Sequence, residues 1–306
     1  MLRSGFLQTS INTTEGNEVK GDEIMTKQLI LIEGLPGSGK STIAKMVSEI
    51  LTEQGKKVQL IQEGNLDHPA DYDGVAFYSA EEFRSLVDAH EACKHILESR
   101  AAVYEDGFLI PYRKMKEEFG VDFPDHVVQE IFSKDIYELP FEQNMKLITE
   151  KWRGFTESVI SADDDSITIF ECCFIQNPLT IGLVKYNQSR EENVQYVLEL
   201  ERIVQPLNPL LIYIHQEDLA HTFDKAIQER PKEWSDGFVQ YYTNQGWGLA
   251  EGYHGVEGTV KVLQARKELE TEIYQLLKMD KHWLDNSEYN RVACQEELEK
   301  ILKVSL

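Results

Sequence analysis

Gln28-Leu29-Ile30-Leu31-Ile32-Glu33-Gly34-Leu35-Pro36-Gly37-Ser38-Gly39-Lys40-Ser41-Thr42 is the stretch on which this chain turns. Gln28 to Ile32 is an almost unbroken apolar run of β-forming residues, the pattern of a parallel strand buried on both faces. Beyond Thr42, Ile43, Ala44, Met46, Val47, Ile50 and Leu51 recur at helical spacing until Gln54-Gly55 supplies a C-terminal stop. Between strand and helix, Gly34 to Ser41 matches G-x-x-x-x-G-K-[ST], a phosphate-binding loop in the context its mechanism requires. The glycines let backbone N–H groups turn inward and the helix N-terminus favours an anion; Lys40 is expected to reach the β and γ oxygens and Ser41 to ligate Mg²⁺. Gly34, Pro36, Gly37, Ser38, Gly39, Lys40, Ser41 and Thr42 are therefore the expected ATP-binding residues.

Working outward, Lys57 to Ile61 reads as a second strand and closes a βαβ unit. Strand character returns at Ser166 to Phe170 and Leu210 to Ile214, with a weaker run at His282 to Leu284. Helical periodicity occupies about 191–204, 218–229, 257–278 and 290–303. From about 79 to 160 the pattern is helical, punctuated by Pro111, Pro124 and Pro140, and reads as an insertion. The expected fold is α/β: a three-layer sandwich around a parallel five-stranded sheet, with ligands at the carboxyl ends of the strands. Residues 1–24 read as a disordered leader and 25–306 as one domain, with Met25 a candidate natural start.

The chain has 306 residues, 53 acidic against 31 basic, for a formal charge of −22. That charge repels a polyanion at long range and no Lys/Arg cluster reverses it, so no nucleic-acid partner is expected. No run approaches the roughly 18 apolar residues of a membrane span, and the leader lacks the apolar core of a signal peptide. Cys93, Cys172, Cys173 and Cys294 show no zinc spacing and suit buried thiols in a reducing compartment, the cytoplasm. A monomer and a homodimer both stay open.

Ile32-Glu33-Gly34 followed by Gly37-Ser38-Gly39-Lys40-Ser41-Thr42 resembles the first strand and loop of P-loop small-molecule kinases, the group of thymidylate kinases, deoxynucleoside kinases and chloramphenicol-phosphotransferase-like enzymes. The likeness is specific over residues 28–54 and diffuse beyond. GTPases fit less well, since no Asn-Lys-x-Asp motif is present. The resemblance implies phosphoryl transfer to a small-molecule acceptor, a reaction whose protein requirements are a metal-holding acid, a base beside the acceptor hydroxyl and closing cations.

Strand ends offer these groups. Glu171 directly follows the third strand, where an acid would orient Mg²⁺. Glu63 follows the second, where the resembling kinases carry their catalytic acid; Asp67 and His68, in the polar loop behind it, compete for the role of base or substrate contact. Arg230, before Pro231, is where the resemblance puts a lid cation, and the Gly/aromatic stretch Trp234 to Gly255 is either a moving cover or a satellite core. Asp285 and Asn286 follow the last strand, where those kinases place a loop beside the base; a plain helix cap competes. Arg84, Tyr112 and Arg113, in the insertion, are candidates to line the acceptor site. One departure stands out: Glu171 is followed by Cys172-Cys173-Phe174, not by arginine, which withholds a nucleoside acceptor and leaves a hydroxylated metabolite, sugar or antibiotic. The competing function is a nucleotide-dependent ATPase or switch whose insertion binds a protein. ATP against GTP is not decided by these residues.

Overall fold

The computed structural model describes residues 29–162 and 164–305; the leader expected over 1–24 lies outside them. The first strand, β1 (Leu29–Gly34), is buried at every position, as its unbroken apolar run predicts. Leu29 and Leu31 project into one core, Ile30 and Ile32 into the other, because successive side chains of a strand point to opposite faces. The loop then enters α1 (Lys40–Glu53), which lays Ile43, Ala44, Val47, Ile50 and Leu51 on the second core. β2 (Val58–Ile61) follows.

The segment before the sheet resumes is more than helical. It contains β3 (Ala76–Ser79), α2 (Ala80–Ala89), α3 (Lys94–Arg100), β4 (Ala102–Tyr104), β5 (Gly107–Ile110), α4 (Tyr112–Phe119), α5 (Asp125–Phe132) and α6 (Phe141–Ser161). The three short strands form an antiparallel sheet in the order β3-β5-β4. Each has only three or four residues, too few for a period of two to stand out between helices. Gly107 pairs with Ser79 and Tyr104; a Cβ there would lie 2.4 Å from the Tyr78 carbonyl oxygen. Phe83, Leu86, Ile96, Leu97, Met115, Phe123 and Ile131 give this segment a core of its own.

The main sheet resumes with β6 (Ile167–Glu171), and α7 (Gln176–Leu179) runs into a π-helical turn, Thr180–Lys185. There follow α8 (Arg190–Val204), β7 (Leu210–His215), α9 (Leu219–Glu229), α10 (Lys232–Thr243), α11 (Gly246–Ala250), α12 (Gly255–Leu276), β8 (Asp280–Asp285) and α13 (Arg291–Ser305). All five expected strands are present, parallel, in the order β2-β6-β1-β7-β8. Helices α1 and α13 cover one face, α6, α8 and α12 the other, making three layers. The stretch from Trp234, expected as a cover or a satellite core, is largely helical. Its Phe238, Tyr241 and Tyr242 pack with Leu35, Val184 and Phe223 in a fourth apolar cluster. No helix among the described residues is long and apolar enough to cross a membrane.

Candidate functional site

The chain leaves the central strand through a backbone that only glycine tolerates. Gly34, Gly37 and Gly39 have φ of 146°, 86° and 93°, and a Cβ on Gly34 would sit 2.6 Å from the Ile214 carbonyl oxygen of β7. Lys40, 6% exposed, curls back so that Nζ donates to the Leu35 carbonyl at 3.0 Å. The loop is braced from the sheet's far side. Asn286, just past β8, donates from Nδ2 to the Ser38 carbonyl at 2.8 Å, Gln216 donates to the Asn286 carbonyl at 2.8 Å, and Tyr289 donates to the Gly37 carbonyl at 3.1 Å. Asn286 thus holds the loop backbone from behind and Asp285 accepts from Ser287 in a local turn; neither borders the cleft described below, whereas Tyr289 does.

Glu171 ends β6 beside Ile32, in register. The Ser41 hydroxyl donates to its Oε1 at 2.5 Å. Its other oxygen, Oε2, is buried without a hydrogen-bond partner, and the residue is 2% exposed. A hard hydroxyl and a carboxylate meeting at a loop end, with one carboxylate oxygen unsatisfied, is a donor set suited to Mg²⁺. Glu63 lies close by: oxygens of Glu63 and Glu171 and the Cys172 sulfur all fall within 4.8 Å of one another. Glu63 accepts weakly from Cys172 Sγ and Gln176 Nε2, both at 3.4 Å.

Glu33 has turned inward. Its carboxylate accepts from the backbone N–H of Phe174 at 2.7 Å and of Gln176 at 2.9 Å, so it pins the turn after Glu171. Burial pushes its carboxyl up to about 7 against those two hydrogen bonds. Below the same turn lies Arg266 of α12, fully buried. It donates to Glu270 (2.7 Å), the Thr180 hydroxyl (2.8 Å), the Tyr242 hydroxyl (2.9 Å) and the Gln176 carbonyl (2.7 Å). Tyr213 of β7 completes the network with a 2.5 Å bond to Glu270. One cation thereby ties α7, the π-helical turn, α10 and α12 into a single floor.

Above that floor opens a cleft of about 710 Å³, bordered by the loop from Pro36 to Thr42, by Glu63, Glu171 and Gln176, and by α9 and α10. Along α10, Trp234, Phe238 and Tyr242 recur every four residues and make one aromatic wall, with Phe238 and Tyr242 stacked at 4.1 Å. Arg230 stands at its rim, its guanidinium 4.3 Å above the Trp234 ring, and Lys225 lies over Tyr289 at 4.6 Å. The expected lid cation is thus on the cleft.

A second, smaller cavity of about 170 Å³ adjoins the first and shares Glu63, Glu171 and Asn177 with it; the rest of its wall is Gly64, Asn65, His68, Asp71, Asp73 and Tyr137. Asp71 accepts from Tyr137 Oη at 2.5 Å, Asn177 Nδ2 at 2.9 Å and the Tyr72 N–H at 2.7 Å, and burial raises its carboxyl to about 6. Of the residues expected from sequence to contact an acceptor, only His68 borders this space. Asp67 is paired outward with Lys114, and Arg113 reaches the cavity only through its ion pair with Asp73. Tyr112 is buried in the inserted segment, donating to Asp135 at 2.9 Å, and Arg84 is exposed on α2. Asp71, Tyr137 and Asn177 escaped the sequence reading, whereas the α10 aromatic wall lies in the Trp234 to Gly255 stretch expected to be a cover or a satellite core. Asp71-Tyr72-Asp73 was visible in the polar loop, but nothing linear ties it to Tyr137 or Asn177.

The sheet order, the braced glycine loop, and Ser41 facing Glu171 define a P-loop NTPase-like fold. A family model described as "Chromatin associated protein KTI12" matches residues 27–90, well under half of the chain but including the loop and Glu63. Comparison with curated proteins finds no match. Among solved structures, the one described as "Crystal structure of APE1195" is 16% identical over 81% of this chain and 97% of that one, with a TM-score of 0.30. At that TM-score nothing transfers from one chain to the other.

Proposed function

We propose that this chain is an ATP- and Mg²⁺-dependent phosphotransferase acting on a hydroxyl of a small molecule. The observation that carries this reading is the meeting of two cavities at Glu63 and Glu171. A cavity behind the loop is not needed to hydrolyse ATP with water, but a second substrate needs one. The loop amides and Lys40 would hold the triphosphate, and Ser41 with Glu171 would hold Mg²⁺, which offsets charge on the β and γ oxygens when bound. Glu63, which borders both cavities, would take the acceptor proton as the hydroxyl oxygen bonds to the γ-phosphorus. The bond from that phosphorus to the β–γ bridging oxygen breaks, and ADP carries the electron pair away. Arg230, at the cleft rim, would close over the phosphates.

The test is label transfer from γ-labelled ATP with Mg²⁺ to a panel of hydroxylated metabolites, sugars and antibiotics. Glu63→Gln is expected to lower transfer by about 10²-fold or more while ATP still binds, and Lys40→Ala to remove binding. ATP hydrolysis at full rate with no transfer to any acceptor would sink the reading.

A second reading is a nucleotide-dependent ATPase or switch that binds a protein. It is favoured by the separate core of the inserted segment and by the exposed Val103, Val121 and Phe132 on it. The partial match to a family described as chromatin associated points the same way; with a charge of −22 such an association would run through protein, not nucleic acid. Under it, Glu63→Gln leaves nucleotide-dependent partner binding intact. Four buried free thiols suit a reducing compartment, for which we propose the cytoplasm.

A further inference from the structure

The aromatic wall of the larger cleft is not required for holding a triphosphate. Trp234 and Phe238 have centroids 5.0 Å apart, and Phe238 and Tyr242 stack at 4.1 Å with 15° between their planes. Arg230 covers Trp234 from outside. The ring faces are thus turned to one another, and ring edges are what this ladder presents to the cleft. An aromatic edge is the positive part of the ring and takes the face of another ring. Beside the ladder, Gly237 opens on the same cleft. It lies within α10, without the left-handed backbone that would call for glycine, and a Cβ on it would meet nothing within 4 Å. Glycine inside a helix is less stable than alanine, by about fivefold in the folding equilibrium, so the packing of α10 gives no reason for it. Glycine supplies bare backbone instead. With Trp234 and Tyr241 as its neighbours on the helix surface, Gly237 makes a notch in which a flat group can lie against the helix.

The loop decides which ligand reaches this wall. Its amides cradle the α- and β-phosphates, while Lys40 and Ser41 mark the γ end, beside Glu171. Tyr242 closes the wall at that same end, because Arg266 ties its hydroxyl to the Gln176 carbonyl and the Thr180 hydroxyl, on the turns that follow Glu171. The base of ATP, joined through the α-phosphate, belongs at the opposite end of the triphosphate. We propose, building on the phosphotransferase reading, that the acceptor is an aromatic alcohol: its planar ring lies in the Gly237 notch against the edges of the ladder, and its hydroxyl reaches Glu63, where the cleft and the smaller cavity meet. Gly237, Phe238 and Tyr241 are the residues that select the ring.

The experiment uses two pairs of alcohols of like size that differ in one ring: 2-phenylethanol against 2-cyclohexylethanol, and phenyl glucoside against cyclohexyl glucoside. Each is titrated calorimetrically into the full chain with Mg²⁺ and a non-hydrolysable ATP analogue, and each is offered as acceptor for label from γ-labelled ATP. The aromatic member of at least one pair is expected to bind about fivefold more tightly than its saturated partner. Gly237→Ala should raise the folding equilibrium constant about fivefold in urea melts and erase that preference, since its methyl group fills the notch. Gly154→Ala, at an equally open glycine of α6 away from the cleft, should stabilise to a similar degree and leave the preference intact. Equal affinity within both pairs, no binding in either, or a preference that survives Gly237→Ala overturns the subsite. Aromatic preference without label transfer counts against the phosphotransferase and leaves the subsite standing. Label transfer to the saturated partners at equal efficiency does the reverse. If Gly237→Ala weakens the ATP analogue but not tripolyphosphate, the notch holds the base of ATP and the acceptor proposal fails.

Discussion

The Ser41 hydroxyl donates to the Glu171 carboxylate at 2.5 Å, joining the start of α1 to the end of β6 across 130 residues of sequence. The contact exists because β1 and β6 are neighbours in the sheet, so the loop after one and the acid ending the other come out at the same edge. If the pair holds Mg²⁺, removing either member has one consequence. Glu171→Gln and Ser41→Ala should each lower the Mg²⁺-dependent part of ATP affinity by about tenfold, and the double variant by little more than either alone. Fluorescent ATP-analogue binding with and without Mg²⁺ reads this. Nucleotide affinity indifferent to Mg²⁺ in the unaltered protein would refute it.

Asn286 acts on the loop from the side away from the cleft. Asn286→Ala removes the donor to the Ser38 carbonyl and should cost about 1–2 kcal/mol of stability, with weaker nucleotide binding. Asn286→Asp should be worse than alanine, because a carboxylate oxygen then faces the carbonyl oxygen. Urea denaturation beside analogue binding measures both. Alanine and aspartate variants of equal stability would show that the bond does not matter.

Arg266 and Glu270 are a buried ion pair at 2.7 Å. Arg266→Met leaves the Glu270 charge in the core and should destabilise by about 3–5 kcal/mol. The double variant Arg266→Met/Glu270→Met removes the stranded charge and should recover part of that loss. A double-mutant cycle in urea tests the coupling. Because Arg266 also holds Gln176, Thr180 and Tyr242, both variants should loosen the floor of the cleft, which amide exchange at those residues would detect.

His68 is held well below the usual imidazole range, at about 4 against 6.5, first by burial and then by the Lys151 charge. The unfolded chain therefore binds a proton between pH 6.5 and 4 that the folded one resists. Its contribution is complete above pH 6.5 and is lost as pH falls through 4. Asp71 and Glu33, raised to about 6 and about 7 by burial, act in the opposite sense over an overlapping range. The clean observable is thus a difference. Relative to the unaltered protein, His68→Gln should gain up to about 3 kcal/mol between pH 6.5 and pH 4. Urea melts at the two pH values measure it, and a constant gap would mean that His68 titrates normally.

Where information is local, the sequence was sufficient. Apolar runs marked β1, β6 and β7, which are buried at nearly every position, whereas the edge strands β2, interrupted by Gln59, and β8, with Asp280, Lys281 and His282, are only partly buried and gave weaker patterns. The glycine loop was legible because its backbone conformation excludes side chains at fixed spacing, and Glu63, Glu171 and Arg230 because each sits at an element's end. The antiparallel strands β3, β4 and β5 were hidden by their length. Only the tertiary structure decided the rest. It turned Asn286 into a brace for the loop, paired Asp67 and Arg113 away from the cavity, and brought Asp71, Tyr137 and Asn177 together from across 106 residues. Such partners are chosen by which strands lie side by side and which buried polar groups must be satisfied there, and neither is written at any one position in the chain.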